Sequence, residues 1–299
     1  MATLKDMVDE VRSNLAGYTM RQDRITYVAT ELTPTDLTIQ LGNSNSLAKG
    51  IVEIDDELIL VDSFDKSTGV LSVMPGFGRG YLNTTPSPHP INSQITLAPT
   101  FPRVNIKQAI NDTINAVFPK LWAVSSTTIT FNTVQNTYAL PDDCQDVLSV
   151  SWHTTGPTKE WVPVREWRMN SMANRAYFNS TSTITIYDRI EAGRTVEIWY
   201  TTIPNTLGSN GDDFADVTGL PESTRDVITL GASARLLTYL DSGRINLTSA
   251  EADAADSKIP SQAGSNAAKY VYALYQTRLK EESSKLQGQF PVKIHYTRR

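Results

Sequence analysis

A single cysteine in 299 residues, Cys144, excludes an intrachain disulfide framework and any zinc site built from paired thiolates. The three histidines, His89, His153 and His295, fall in separate segments with no HExxH or paired spacing, so no metal or cofactor is expected. No apolar run approaches the roughly 20 residues that span a bilayer. The start, MATLKDMVDEVRSNL, is charged where a secretory signal would be apolar, and a soluble, unprocessed chain away from membranes is expected. A cationic surplus is missing too. With 27 Lys and Arg against 32 Asp and Glu, the net charge is −5, which disfavours a protein that grips phosphate. The end of the chain departs from this: no acid follows Glu282, whereas Lys285, Lys293, Arg298 and Arg299 do.

What the chain does have is 40% hydrophobic residues, enough for a real core and for more than one folded unit. Residues 102–122 (PRVNIKQAINDTINAVFPKLW) read as a helix, with Ile106, Ile110, Ile114, Val117 and Leu121 on one face and Lys107, Asn111, Asp112, Asn115 and Lys120 away from it. Strand-rich stretches flank this helix, so its partners must come from the ends of the chain. At the start, Thr3 reads as an N-cap, Leu4, Met7, Val8, Val11 and Leu15 as an apolar face, and Gly17 as a stop. Near the end, Val227, Leu230, Ala234, Leu237 and Leu240 form one stripe. Ala267, Val271, Leu274, Tyr275 and Leu279 form another; Tyr272 and Tyr275 are three apart and Tyr270 points elsewhere, so this helix is aromatic on more than one side, as for an element that meets a second partner. The linker 241–265, rich in Ser, Ala and Asp, reads as a flexible or half-helical connector.

Between Ile25 and Leu97 the period changes to two. Alternating runs at 36–41, 51–54, 57–61, 70–73 and 94–97 predict a small antiparallel sheet or barrel, with a long-loop hairpin in ELILVDSFDKSTGVLSV and Gly69 as its left-handed residue. A second β unit follows from runs at 127–131, 137–139, 147–153, 161–164, 183–188 and 196–201, with 165–176 as a short helix or turn laid on it. Residues 205–219 read as a polar acidic surface loop. The expected class is α+β: a small helical core (1–24, 102–124 and 220–286) carrying two β-rich insertions (25–101 and 125–205), an acidic loop at 206–219 and a tail at 287–299.

Signals for chemistry are weak. GFGRG at 76–80 lacks the strand, turn and helix of a dinucleotide site, and a glycine-permitted turn or bulge explains it better. The acidic run Glu53-Ile54-Asp55-Asp56-Glu57 lacks cation-loop spacing and reads as a solvated turn between strands. PDDCQDV around Cys144 has no nucleophile elbow, and a small buried apolar role is the ordinary one for such a cysteine. Trp152, Trp161, Trp167 and Trp199 all fall in the second β unit, where alternation favours a core role over a carbohydrate platform. No enzyme is expected.

Several strings, taken in order, resemble the head-to-tail adaptor or connector proteins of tailed bacteriophages: LKDMVDEVRSNLAGY, EIDDELILV, PGFGRGYLNTTPSPH, PRVNIKQAINDTINAVFPKLW, LPESTRDVITLGASARLL and YVYALYQTRLKEE. The GRG, Thr and His pattern within them also resembles short β modules of other phage virion proteins. The resemblance implies a structural virion protein made in the host cytoplasm. It would form a ring of twelve copies in the neck between capsid and tail, docked on the portal protein and meeting neck or tail-completion proteins, with DNA passing through unbound. A baseplate or tail-fibre-associated protein and a virion-associated hydrolase are the alternatives. A strand-like tail with Phe290, Val292, Ile294 and Tyr296 alternating, and with Lys293, Arg298 and Arg299 for an acidic surface, is the expected docking element.

Overall fold

A computed structural model gives the structure and describes residues 2–18, 23–43, 49–155, 160–241 and 263–290. The fold is mixed α+β, in the element order α1 (Leu4–Ala16), β1 (Arg24–Tyr27), β2 (Thr38–Gln40), β3 (Gly50–Ile54), β4 (Glu57–Asp65), β5 (Val70–Val73), β6 (Gln94–Leu97), α2 (Arg103–Val117), β7 (Ala123–Thr130), β8 (Thr137–Ala139), β9 (Asp146–His153), β10 (Trp161–Pro163), β11 (Trp167–Asn170), α3 (Arg175–Phe178), β12 (Thr183–Ile186), β13 (Thr195–Thr202), α4 (Phe214–Thr218), α5 (Arg225–Leu237) and α6 (Ala263–Gln289). The chain separates into two compact units, one of Lys5–Asp112 and Thr229–Ala273, the other of Met1–Leu4, Thr113–Ile228 and Leu274–Arg299.

The first unit holds an antiparallel sheet in the order β1-β6-β3-β4-β5-β2. A bridge between Val28 and Leu41, with Ala29 N donating to Gln40 O and Gly42 N to Tyr27 O, joins its two edges into a barrel. Inward alternation fills it with Ile39, Leu41, Val52, Ile54, Ile59, Val61, Leu71, Val73, Ile95 and Leu97, all buried. Gly69 closes the β4–β5 hairpin at φ 70°, as its left-handed role requires. The same unit contains most of α1, whose Met7, Val8, Val11 and Leu15 are buried, and Thr229 of α5 lies 3.2 Å from Glu10 of α1.

The second unit packs two antiparallel sheets, β10-β9-β13-β7 and β11-β12-β8, around one core. Val147, Val150, Val196, Ile198 and Tyr200 from the larger sheet meet Tyr138, Ile184 and Ile186 from the smaller, and Cys144 is buried among them. Within this unit Phe214 N donates to Ala2 O and Leu4 N to Asp212 O, and Thr3, directly before α1, is bridged to Asp213. On α6, Glu282 is buried but answered by Ser223 at 2.9 Å, Arg278 at 3.1 Å and Lys285 at 2.6 Å.

Several elements differ from the sequence pattern. The central helix stops at Val117 because Pro119 disfavours helical geometry at the residue before it, and Leu121 is buried from outside the helix. Residues 167–170 form strand β11, paired along its length with β12, where a short helix or turn was expected. Residues 214–218 form helix α4, which Asp213 caps by accepting from Ala215 N and Asp216 N and which Gly219 ends at φ 71°. Phe214 beneath it is fully buried, so this part of the stretch is not a surface loop. Helix α5 is buried on nearly every side, Ala232, Ser233, Ala234, Leu236 and Leu237 included, while Leu230 is only half-buried. On α6 the buried apolar positions are Ala268, Val271, Tyr275, Leu279 and Leu286; Leu274, expected on that stripe, is 40% exposed.

The α2 face gives a direct test. Ile106, Ile110, Ile114 and Val117 are all fully buried. Ile110→Val should cost about 1 kcal/mol, whereas Ile110→Asp places an unpaired charge in the core and should cost about 4 kcal/mol or more. Urea unfolding of the two variants measures the difference.

Candidate functional site

Strands β3 and β4 pair with Ile54 opposite Glu57, leaving Asp55 and Asp56 as the hairpin turn. This is the acidic run that reads as a solvated turn, and the structure corrects that reading. Glu53 is 3% exposed and Glu57 is 0% exposed. Two carboxylates removed from water must be matched by donors, because an uncompensated buried charge costs several kcal/mol.

Glu57 is matched completely, from a loop that lies after it in sequence. Arg79 Nε reaches Oε1 at 2.7 Å and Nη2 reaches Oε2 at 2.9 Å, a two-pronged pairing suited to guanidinium. Gly80 N and Ser87 N each donate at 3.0 Å, and His89 Nε2 lies 2.9 Å from Oε2. The other ring nitrogen, His89 Nδ1, lies 3.0 Å from Asp55 Oδ2, so the buried imidazole bridges two acids of one hairpin. Arg79 spends its remaining donors on the carbonyls of Thr33, Asp36 and Ser87.

These contacts set the ionisation. Burial by itself would raise the Glu57 pKa, but hydrogen bonds from His89, Arg79, Ser87 and Gly80 outweigh it and hold the carboxyl at about 2. Burial would lower the His89 pKa, yet Glu57 and Asp55 more than offset this and hold it above its ordinary value.

The loop held by this clasp, residues 74–91, has little freedom left. A Cβ on Gly78 would stand 2.4 Å from the Met74 carbonyl oxygen, and one on Gly80, at φ 63°, would stand 2.6 Å from the Thr84 carbonyl oxygen. GFGRG is therefore a backbone packed on backbone, with Gly78 O accepting from Leu60 N of β4. Leu82 and Asn83 follow at φ 54° and 63°, a left-handed geometry that costs a non-glycine residue about 1 kcal/mol or more and persists only where the surroundings enforce it. Thr84 supplies that enforcement, its Oγ1 accepting from Leu58 N at 3.0 Å. The loop exposes Phe77 at 61% and Leu82 at 60%.

The hairpin's other two acids face helices. Glu53 accepts from Arg12 of α1 at 3.2 Å and from the backbone N of Arg103, the first residue of α2, at 3.1 Å. Burial nonetheless dominates at Glu53 and raises its pKa despite Arg12 and Arg103. Asp56 meets Lys107 at 2.8 Å, and Arg103 meets Asp9 at 2.7 Å. One four-carboxylate turn thus ties α1 and α2 on one side and the clasped loop on the other.

Other sequence candidates are placed differently. Burial, with Asp143 and Asp146 nearby, pushes the Cys144 thiol up to about 12, so it stays protonated at neutral pH. Trp152 and Trp167 pack against the sandwich core, but Trp161 and Trp199, expected within it, are 47% and 39% exposed. Trp161 meets the His153 ring edge-on at 5.0 Å. Among the described residues no group of His, Cys, Asp or Glu could hold a metal ion, and no helix is long and apolar enough to cross a membrane. In the expected docking tail, residues 287–289 are the last of α6 and Phe290 is half-buried. Val292, Lys293, Ile294, Tyr296, Arg298 and Arg299 lie outside the described residues.

A family model described as SU10 adaptor protein matches residues 82–292, well over half of the chain. That span takes in the second half of the clasped loop, α2, the whole sandwich, α5 and α6. No curated protein matches the chain.

The clasp predicts an optimum in pH. Glu57 is lowered on folding, so its contribution is complete above about pH 4.5 and is lost as pH falls toward 2, a loss of about 3 kcal/mol. His89 is raised, so its contribution is complete below pH 6.5 and is lost as pH rises through its folded value. Hydrogen exchange at the Gly80 and Ser87 amides should be slowest between those limits, after correction for intrinsic rates. Glu57→Gln should speed it at every pH.

Proposed function

The chain belongs to the SU10 adaptor protein family, and we propose from that premise that it forms the head-to-tail adaptor ring of a tailed phage. Family membership makes it a phage structural adaptor and so a virion component. In the finer reading, α1, α2, α5 and α6 form the ring's helical core, the barrel and the sandwich project from it as two separate β units, and the ring bridges portal and neck or tail proteins around the DNA channel. Twelve copies follow from the family resemblance. The observation that carries this reading is the family match across residues 82–292.

Two physical points support it. A channel for packaged DNA must let phosphate slide, and a chain of net charge −5 repels rather than holds it. A closed ring also needs two different faces on each copy, which a chain with two distinct β units can supply.

The tail, residues 290–299, is the proposed docking element toward the portal or a neighbouring subunit. Its Phe290, Val292, Ile294 and Tyr296 would lie on one strand face, with Lys293, Arg298 and Arg299 meeting an acidic surface. Deleting 290–299 should leave a folded protein that no longer binds purified portal rings in sedimentation. Arg298→Glu with Arg299→Glu should slow association and alter its salt dependence, because rim charges act mainly on encounter rates. Undiminished portal binding by the truncated chain would overturn the docking role. A purified chain of trimer mass would favour the baseplate or fibre reading.

A further inference from the structure

The two sheets of the sandwich end in four edge strands, and three of these are protected against a further strand. β8 and β10 are three residues long, with Pro163 in β10, and β11 is four residues long and carries Arg168. β7 is built differently. It runs for eight residues, AVSSTTIT, without a charge or a proline, and lies at the end of its sheet beside β13. Phe131 N donates to Arg194 O, so by antiparallel alternation Ser125, Thr127 and Ile129 also turn their N–H and C=O groups onto β13. Val124, Ser126, Thr128 and Thr130 then point theirs outward along the edge, where the described residues bring them no backbone partner. A row of outward donors and acceptors is matched by one kind of occupant, an extended peptide.

Resting on the ring reading above, we propose that the C-terminal tail of one copy, residues 291–297, adds as a strand to the outward edge of β7 in the next copy. The tail has the period of a strand, with Val292, Ile294 and Tyr296 alternating with Lys293 and His295. Pro291 sets which of them pair. It has no N–H and must face away from β7, so Val292, Ile294 and Tyr296 take the paired positions, and the proline blunts the new edge against yet another strand. Phe290 stays with α6, its N–H on Leu286 O at 3.3 Å. Charge favours exchange between copies. Residues 290–299 hold three cations and no acid, so residues 1–289 keep 24 Lys and Arg against 32 Asp and Glu, a body of net charge −8 that repels its neighbour's body and attracts its neighbour's tail. A parallel approach offsets the paired residues by one. It puts Val292, Ile294 and Tyr296 on the face of Ile129, which packs at the margin of the sandwich core, and Lys293 on the face of Glu197, opposite Thr128 one strand in. Tail and edge are different surfaces, as a heterologous ring contact requires.

A peptide of residues 288–299 added to the full-length chain tests this. It should slow hydrogen exchange at the Ser126, Thr128 and Thr130 amides, while those of Ser125, Thr127 and Ile129, already bonded within the sheet, change little. Ile294→Pro in the peptide deletes a paired N–H and should weaken binding about 10-fold, whereas His295→Pro deletes one that faces solvent and should bind as the unaltered peptide does. In the chain, Thr128→Pro should keep the wild-type circular dichroism, because that N–H lies outside the sheet's own ladder, and should take up the peptide about 10-fold more weakly. Peptide binding that leaves the three outward amides unslowed, or Ile294→Pro and His295→Pro peptides that bind alike, would overturn strand addition at β7 while leaving the ring reading, whose own test is portal binding by the whole chain. A chain that takes up the peptide only after its own residues 290–299 are deleted fills β7 with its own tail, which would overturn exchange between copies. No binding by either chain up to about 1 mM, the scale of a tethered segment's effective concentration, would overturn the contact altogether.

Discussion

A carboxylate with no exposure to water, that of Glu57, organises more of this protein than any apolar residue does. It sits at the start of a barrel strand, and five donors converge on it: two from Arg79, one from His89 and two backbone amides. A hydrophobic side chain there would accept any apolar neighbour, whereas a buried anion accepts only donors in defined directions. The loop it gathers is consequently specified atom by atom. Its course through Arg79, Gly80, Ser87 and His89 follows from satisfying that one charge, and Thr84 on Leu58 N holds the left-handed Leu82 and Asn83 between them.

The same turn acts in two directions. Glu57 and Asp55 hold the loop through Arg79 and His89, while Glu53 and Asp56 hold α1 and α2 through Arg12, Arg103 and Lys107. The two halves differ in kind. At Glu57 hydrogen bonding outweighs burial and the acid is held ionised; at Glu53 burial wins and the pKa rises. Ion pairs of this sort contribute little net stability compared with apolar packing, so their retention argues for geometric specification. The barrel core alone would hold the strands together. It would not fix how the loop and the two helices attach to the hairpin tip.

Much of the fold was legible from period and punctuation: the faces of α1 and α2, the β4–β5 hairpin with Gly69, and the strand-rich stretches on either side of α2. What stayed hidden was non-local. Glu57 meets Arg79 and His89 across 22 and 32 residues, and Glu53 meets Arg12 and Arg103 across 41 and 50. Read locally, EIDDE is simply hydrophilic. The available signal was the isolation of Arg79, a lone cation in a long neutral stretch whose anion had to lie elsewhere in the chain. Trp199 failed for a different reason: alternation in β13 assigns it to one face and Val196, Ile198 and Tyr200 to the other, but period two does not say which face is inside. Strand β11 was obscured by residues that also suit a turn or helix until pairing with β12 decides. Helix α4 hid in a polar run whose cap, Asp213, and stop, Gly219, were both visible only as loop formers.

In the proposed ring, charge placement connects the clasp to assembly. Left in solvent, Arg79 and His89 would give the loop a cationic surface attractive to DNA and to the chain's own acidic exterior. Drawn inward, they neutralise Glu57 and leave outside only apolar and small polar groups. In the proposed ring, the structural demand for a compensated buried anion and the demand for a surface that does not bind DNA would be met by the same two side chains. An apolar replacement of the whole cluster could keep the barrel folded and the loop uncharged, yet it would lose the directed bonds from Arg79, Gly80, Ser87 and His89 that fix the loop on either side of Leu82 and Asn83. The ionic clasp delivers neutrality and shape together, which explains why a protein with a sufficient apolar core places the Glu57 carboxylate where water does not reach.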